Sequence, residues 1–211
     1  MLHLIGLFRS VIAASMVLAL FAGVAVAGPV EDADAAYARG DYATALQFYR
    51  PLAESGAYSA QFVLAGMYRA GRGVPHDDVE AAKWYRKAAV QGFSFAQFNL
   101  AVMYSNGEGV PRDDSESVKW LRLAAEQGHV YAQNVLGGQY ALGKGVPQDY
   151  VEAYKWYNLA AARSTIDSNR RNRDTALEMR DLLATKMTPD QIAEAQRSSR
   201  NWKPSPMTPH E

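Results

Sequence analysis

The sequence has no cysteine. That excludes a disulfide framework, a thiolate metal site, a cysteine nucleophile and a lipid-modified N-terminal cysteine. Neither sign of charge is in excess, since 22 basic side chains balance 22 acidic ones. No nucleic-acid partner is therefore expected, because such binding draws on a basic surplus. Histidine is scarce. Beyond the N-terminal region His76, His129 and His210 stand far apart, in a turn, at a repeat start and near the end, read as lone surface side chains with no H-E-x-x-H spacing. No serine sits in a G-x-S-x-G elbow, and no S-x-x-K pair is present to supply nucleophile and base. No catalytic residue, metal ligand or cofactor is expected from these absences, and the chain is read as a non-enzyme.

Two patterns imitate chemistry. Gly138, Gly143, Lys144 and Gly145 approach a phosphate-binding loop. The Ser/Thr that must reach magnesium is missing, and the stretch follows a helical pattern rather than a strand. The pairs Asp77-Asp78 and Asp113-Asp114 could serve as acid and base. They fall where helix capping calls for acids, and Tyr150 breaks the pair in the third copy.

What is present begins with an N-terminal export pattern. Arg9 precedes an apolar run over residues 11–21 broken only by Ser15, followed by Ala25-Val26-Ala27 and Gly28. Charged, apolar, then small-x-small is the order of a secretory signal, with cleavage expected after Ala27. Residues 11–27 are 17 apolar or small residues, at the lower limit for a membrane span, so the alternative is a retained anchor. No later run is apolar enough to span, so no stable membrane insertion is expected once the signal is removed. The expected location is periplasmic or extracellular.

The rest is repetitive. GRGVPHD from Gly71, GEGVPRD from Gly107 and GKGVPQD from Gly143 recur at a step of 36. The same step links Trp84, Trp120 and Trp156, then Gly56, Gly92 and Gly128, then Gln61, Gln97 and Gln133, then Tyr68, Tyr104 and Tyr140. Such a period signals stacked supersecondary units. Each unit reads as two helices. In the first, Ala60, Leu64 and Tyr68 are four apart and share a face. Gly71, Gly107 and Gly143 end it, and Val-Pro continues the turn. The second starts at Asp77, Asp113 or Asp149, each followed three residues on by Glu80, Glu116 or Glu152, a spacing like the capping box. Ala81, Trp84 and Ala88 supply its core face, with the tryptophans read as core. Ser117 replaces the alanine of the second unit, and Gly137, Gly138 and Gln139 are expected to loosen the first helix of the third.

These residues resemble the Sel-1-like repeat family, a relative of tetratricopeptide repeats. The match runs over about residues 57–163, carried by Ala60, Leu64, Tyr68, Gly71, Gly73, Val74, Asp77, Ala81, Trp84, Ala88, Ala89, Gly92 and their counterparts. The resemblance implies an all-α fold, an α-solenoid of helix-turn-helix units with a right-handed superhelix. The chain divides into a signal peptide at 1–27, a degenerate N-terminal tetratricopeptide-like capping repeat at 28–56, repeats at 57–92, 93–128 and 129–163, capping helices at 164–201 and a disordered tail at 202–211. In the N-terminal unit Ala45 and Phe48 align with Ala81 and Trp84 across the short turn Arg39-Gly40-Asp41-Tyr42. Near the C-terminus Thr188-Pro189-Asp190-Gln191 starts a further helix.

In tetratricopeptide arrays the first helices line the concave surface. Counting back five residues from each leucine gives Ser59, Phe95 and Tyr131, and counting back two gives Phe62, Phe98 and Asn134. Phe62 lies about 200° round the helix from Leu64, off the leucine face. Two readings stay open: these aromatics line a groove, or they pack between repeats. The turns at Arg72, Glu108 and Lys144, whose charges differ, are the other candidate surface. The resemblance implies an interaction module binding a protein or peptide partner in the cell envelope. Two rivals remain: a structural or regulatory part of an envelope complex, and a β-lactam-binding or β-lactam-hydrolysing enzyme like the secreted cysteine-rich relatives, whose disulfides this chain lacks. If the export reading holds, N-terminal sequencing of protein recovered from the envelope or medium will begin at Gly28; full-length chain recovered in the cytosol would refute it.

Overall fold

The computed structural model describes residues 28–163 and 170–209. The N-terminal stretch read as an export signal lies outside the described residues. Among those described there are ten helices and no strand. They are α1 (Pro29–Ala38), α2 (Tyr42–Glu54), α3 (Tyr58–Ala70), α4 (Asp78–Val90), α5 (Ser94–Asn106), α6 (Asp114–Glu126), α7 (Val130–Leu142), α8 (Tyr150–Arg163), α9 (Arg170–Ala184) and α10 (Pro189–Asn201). From α1 to α9 each helix packs on its neighbours in sequence, and α10 folds back on α8. The architecture is the expected all-α solenoid of helical hairpins.

The turn inside each repeat is built from backbone bonds. The amides of Asp77, Asp113 and Asp149 donate to the carbonyls of Tyr68, Tyr104 and Tyr140, each at 3.0 Å. This alters the expected cap. The aspartate side chains do accept from the first-turn amides, Glu80 N to Asp77 Oδ1 at 3.0 Å and Glu116 N to Asp113 Oδ1 at 3.0 Å. The reciprocal half of the box does not form, because the aspartate amide is already bound to the preceding helix. The glutamates instead accept from Lys83, Lys119 and Lys155 one turn on. A complete capping box is present at Thr188 and Gln191, where no tyrosine carbonyl competes.

Leu64, Leu100 and Leu136 are fully buried, as the four-residue spacing requires. The tryptophans divide. Trp120 and Trp156 are buried, but Trp84 is only half-buried, with the Lys87 ammonium 3.8 Å from its ring centroid. In the first two repeats the residue after the tryptophan, Tyr85 or Leu121, is the deeper of the two, and in the third Trp156 and Tyr157 are both buried. Gly137 and Gly138 do not loosen α7, which is continuous. A Cβ on Gly137 would meet the Tyr157 ring at 3.0 Å, so the glycine admits a ring where the second repeat has Leu121 and Ala101 at the corresponding positions.

Neighbouring repeats meet through two further contacts. The second glycine of each long turn abuts the start of the preceding repeat's second helix: a Cβ on Gly109 would lie 2.0 Å from Asp78 O, and one on Gly145 2.1 Å from Asp114 O. Only glycine permits that approach. Inside, the buried carboxamides of Gln61, Gln97 and Gln133 donate back to Ala53 O, Ala89 O and Ala125 O, each at 3.1 Å. Gln61 and Gln97 in turn accept from Gln91 and Gln127, each at 2.8 Å. At the third position the chain has Arg163 instead, and Gln133 Oε1 has no hydrogen-bond partner among the described residues.

The C-terminal stretch differs from expectation. Residues 202–209 are not helical, yet they lie along the array, with Ser205 N donating to Glu126 O at 2.8 Å. Proline fixes an extended backbone without needing a core to order it.

The clamp geometry predicts unequal effects. Gln97→Leu removes one of the two bonds to Ala89 O and takes the Oε1 acceptor from Gln127 Nε2, and is expected to lower stability by about 2 kcal/mol. Gln133→Leu also removes an unpaired buried oxygen, so its loss is expected to be smaller by about 1 kcal/mol or more. Urea unfolding of the two variants checks the difference, and equal losses would contradict it.

Candidate functional site

The first turns of α3, α5 and α7 stand side by side, and their rings connect. Tyr58 lies 5.1 Å from Phe93 between centroids, Phe93 lies 5.2 Å from Phe62 and 5.6 Å from Phe95, and Phe95 lies 4.8 Å from His129. His129 stacks on Phe98 at 4.9 Å, and Tyr131 follows at 6.3 Å from Phe98. These spacings are those of favourable edge and offset ring contacts. The result is an aromatic stripe across three repeats.

The two readings of the aromatics each describe part of it. Phe62 and Phe98 are half-buried and rest on the core, as inter-repeat packing requires. Phe95 and Tyr131 present 52% and 43% of their surface to solvent. Ser59 is exposed on the first turn of α3. Asn134 is placed elsewhere: its amide donates to the Asn172 backbone carbonyl at 3.2 Å and to Asn172 Oδ1 at 2.8 Å, which ties α7 to α9. The C-terminal helices reach the third repeat there, which the first two repeats alone could not indicate.

Three members of the stripe were not among the sequence candidates: Tyr58, Phe93 and His129. Counting back from the leucines passes over the helix caps, where Phe93 and His129 sit. The signal available was the ring-bearing position directly after Gly92 and Gly128. Far from being a lone surface side chain, His129 is buried between Phe95 and Phe98. Its Nδ1 accepts from Ala132 N at 3.2 Å, which places the proton of the neutral ring on Nε2. Burial lowers its pKa from 6.5 to about 4.

At its N-terminal end the stripe meets a cleft of about 350 Å³ lined by Asp34, Tyr37, Tyr49, Phe62 and Tyr85. The Tyr49 hydroxyl donates to Asp34 Oδ1. Burial first, then that carboxylate, raises the Tyr49 pKa, so the phenol stays a donor. The cleft is apolar with one polar edge, the character of a side-chain pocket.

The turn charges are engaged within the array. Arg72 donates to the Tyr37 hydroxyl at 2.7 Å, Glu108 pairs with Arg69 at 2.8 Å, and Lys144 pairs with Asp114 at 3.2 Å. Each reaches a preceding unit, so their differing signs serve inter-repeat fit. Among the described residues no group of three His, Asp or Glu converges as a metal site, and no helix is long and apolar enough to cross a membrane.

Comparison with known proteins places these features. The Sel1 repeat model matches residues 59–93, 94–129 and 130–164, each within two residues of the 36-residue units. The chain is similar to a Sel1 repeat protein from Oxalobacter formigenes, at 30% identity and TM-score 0.61, over 79% of this chain and 72% of that one. It is also similar to c5321, a protective antigen of uropathogenic Escherichia coli displaying an SLR fold, at 30% identity and TM-score 0.54 over 75% of this chain. It spans only 40% of that antigen's length. No curated protein matches the chain.

The buried histidine predicts a pH dependence. A folded-state pKa of about 4 against 6.5 means that the native state resists protonation. The contribution is therefore complete above pH 6.5 and is lost as pH falls toward 4 and below, by on the order of 3 kcal/mol in full. His129→Asn keeps an acceptor for the Ala132 amide but does not titrate. Unfolding measured from pH 7 to 4 should show a shallower fall for the variant, and parallel profiles would contradict the assignment.

Proposed function

Because the chain belongs to the Sel1 repeat family, whose members are protein-interaction modules, we propose that it binds an extended, apolar segment of a protein partner along the aromatic stripe. The observation that carries this reading is the connected run of rings from Tyr58 to Tyr131, with about half of the Phe95 and Tyr131 rings exposed. Large apolar rings left in contact with water on a well-packed array mark an interaction surface. They are also the side chains that act as binding hot spots. The half-buried rings beneath them hold the exposed ones in place, which lowers the entropy lost on binding. The cleft beside Phe62 offers a pocket for one side chain of the bound segment. We place this interaction in the cell envelope or outside the cell, on the support of the charged, apolar, Ala25-Val26-Ala27 order at the N-terminus.

A photo-crosslinking amino acid at position 95 tests the site in envelope extracts. It is expected to capture a discrete partner, whereas the same group at Val79, equally exposed on α4, is expected to capture none. With that partner in hand, Phe95→Ala and Tyr131→Ala should weaken binding by about 30-fold, or 2 kcal/mol. Their melting should shift less than that of Phe98→Ala, whose ring is more deeply set against the core. Equal labelling from positions 95 and 79, or unchanged affinity in both variants, would refute the reading.

A further inference from the structure

The C-terminal tail crosses the repeat hairpins at the end where each second helix runs into the next first helix, and it does so in a regular way. Trp202 has φ −68° and ψ 138°, extended backbone of the polyproline kind. Prolines follow at 204, 206 and 209. Trp202 packs edge-on against Trp156 of α8, with centroids 6.5 Å apart, and the Arg163 guanidinium lies 5.1 Å from its ring centroid. Three residues on, Ser205 N donates to Glu126 O at the end of α6 at 2.8 Å. Three residues further, Thr208 lies against Gly92 just after α4, where a Cβ would meet Thr208 O at 2.4 Å. The tail thus contacts α8, α6 and α4 in turn, one second helix for every three residues. A polyproline helix has three residues per turn and advances about 9 Å in each. One turn of tail therefore advances one repeat, and the same face of the tail meets every repeat.

The track is made where the third repeat departs from the other two. Gln91 and Gln127 turn inward to the buried glutamines, but Arg163 occupies the third position and lies over Gly128, 3.2 Å from where a Cβ would be. Arg163 leaves Gln133 Oε1 unpaired inside and supplies the cation beneath Trp202 outside. Ser205 keeps an amide between two prolines, and that amide makes the bond to Glu126. We propose that the C-terminal ends of α4, α6 and α8 form a docking track for an extended proline-rich segment, and that residues 202–209 are its resident ligand, held in cis. The track adjoins the aromatic stripe, since Gly92 and Gly128 directly precede Phe93 and His129. It is read out by the Gly92 and Gln127 amides rather than by partner capture, so failure of one reading is distinguishable from failure of the other.

The absence of cysteine allows one paramagnetic label to be placed by Thr208→Cys on the full chain. Docking predicts that the Gly92 amide signal falls below half its diamagnetic intensity, and that Ser205→Pro, which removes the single amide bond but keeps an extended backbone, restores it. In the full chain carrying Trp202→Ala and Ser205→Pro, whose own tail cannot hold the track, a labelled synthetic peptide of residues 201–209 at millimolar concentration should broaden Gly92 and Gln127. The wild-type chain should resist the peptide at least tenfold more, and adding Arg163→Gln to the double variant should abolish the effect. An unbroadened Gly92 in the labelled chain would overturn the proposal. A double variant that ignores the peptide would overturn the track as a binding site, because the loss of its own tail leaves the track residues unchanged.

Discussion

A buried carboxamide ties each repeat to the one before it. Gln61, Gln97 and Gln133 sit on first helices, and each donates to a carbonyl at the end of the preceding second helix. A buried amide costs free energy unless both its ends are paired. The donor end is paired at all three joints, so the bond favours the same register between these units, and much of the molecule follows from that register. The close approach of Gly109 and Gly145 to the preceding helix starts is possible only when the hairpins are stacked at that offset. So are the inter-repeat pairs of Arg86 with Tyr104 and Arg122 with Tyr140.

The same register puts the helix caps in line. Phe93 and His129 occupy equivalent cap positions, and stacking brings each within ring contact of the first turn of the preceding repeat. A solenoid has few long-range contacts, so a surface that spans several units is as rigid as the joints between them. Glutamine bonds inside and ring contacts outside make those joints stiff here. That stiffness suits a module that presents a fixed surface to a partner, which is the role of the Sel1 repeat family.

The two ends of the array are closed differently. At the N-terminus α1 and α2 form a shorter hairpin whose Asp41 accepts from Thr44 N, and its buried Ala45 and Tyr49 fall on the repeat step from Ala81 and Tyr85. At the C-terminus α9 reaches α7 through Asn172 and α10 folds on α8 through Ser199 and Asn158. These helices lack the repeat signature because one face meets water, as terminal units of such arrays do.

Periodicity made most of this legible beforehand. The 36-residue step, the alternation of Leu64-type and Trp84-type faces, the glycine stops and the aspartate caps are local patterns, and local hydrogen bonding and helix geometry are enough to read them. Phe62, Phe95, Phe98 and Tyr131 were legible as aromatics off the leucine face. The sequence by itself thus determined the helices, their pairing and the repeat count, because these depend on residues within one unit. Tertiary structure decided what those residues meet. It tied Asn134 to Asn172, sank His129 between two phenylalanines, turned Glu80 away from its cap and laid the proline-rich tail along α8, α6 and α4. Each of these outcomes depends on a group from another helix competing for the same atom or the same space, and no spacing along the chain records that competition.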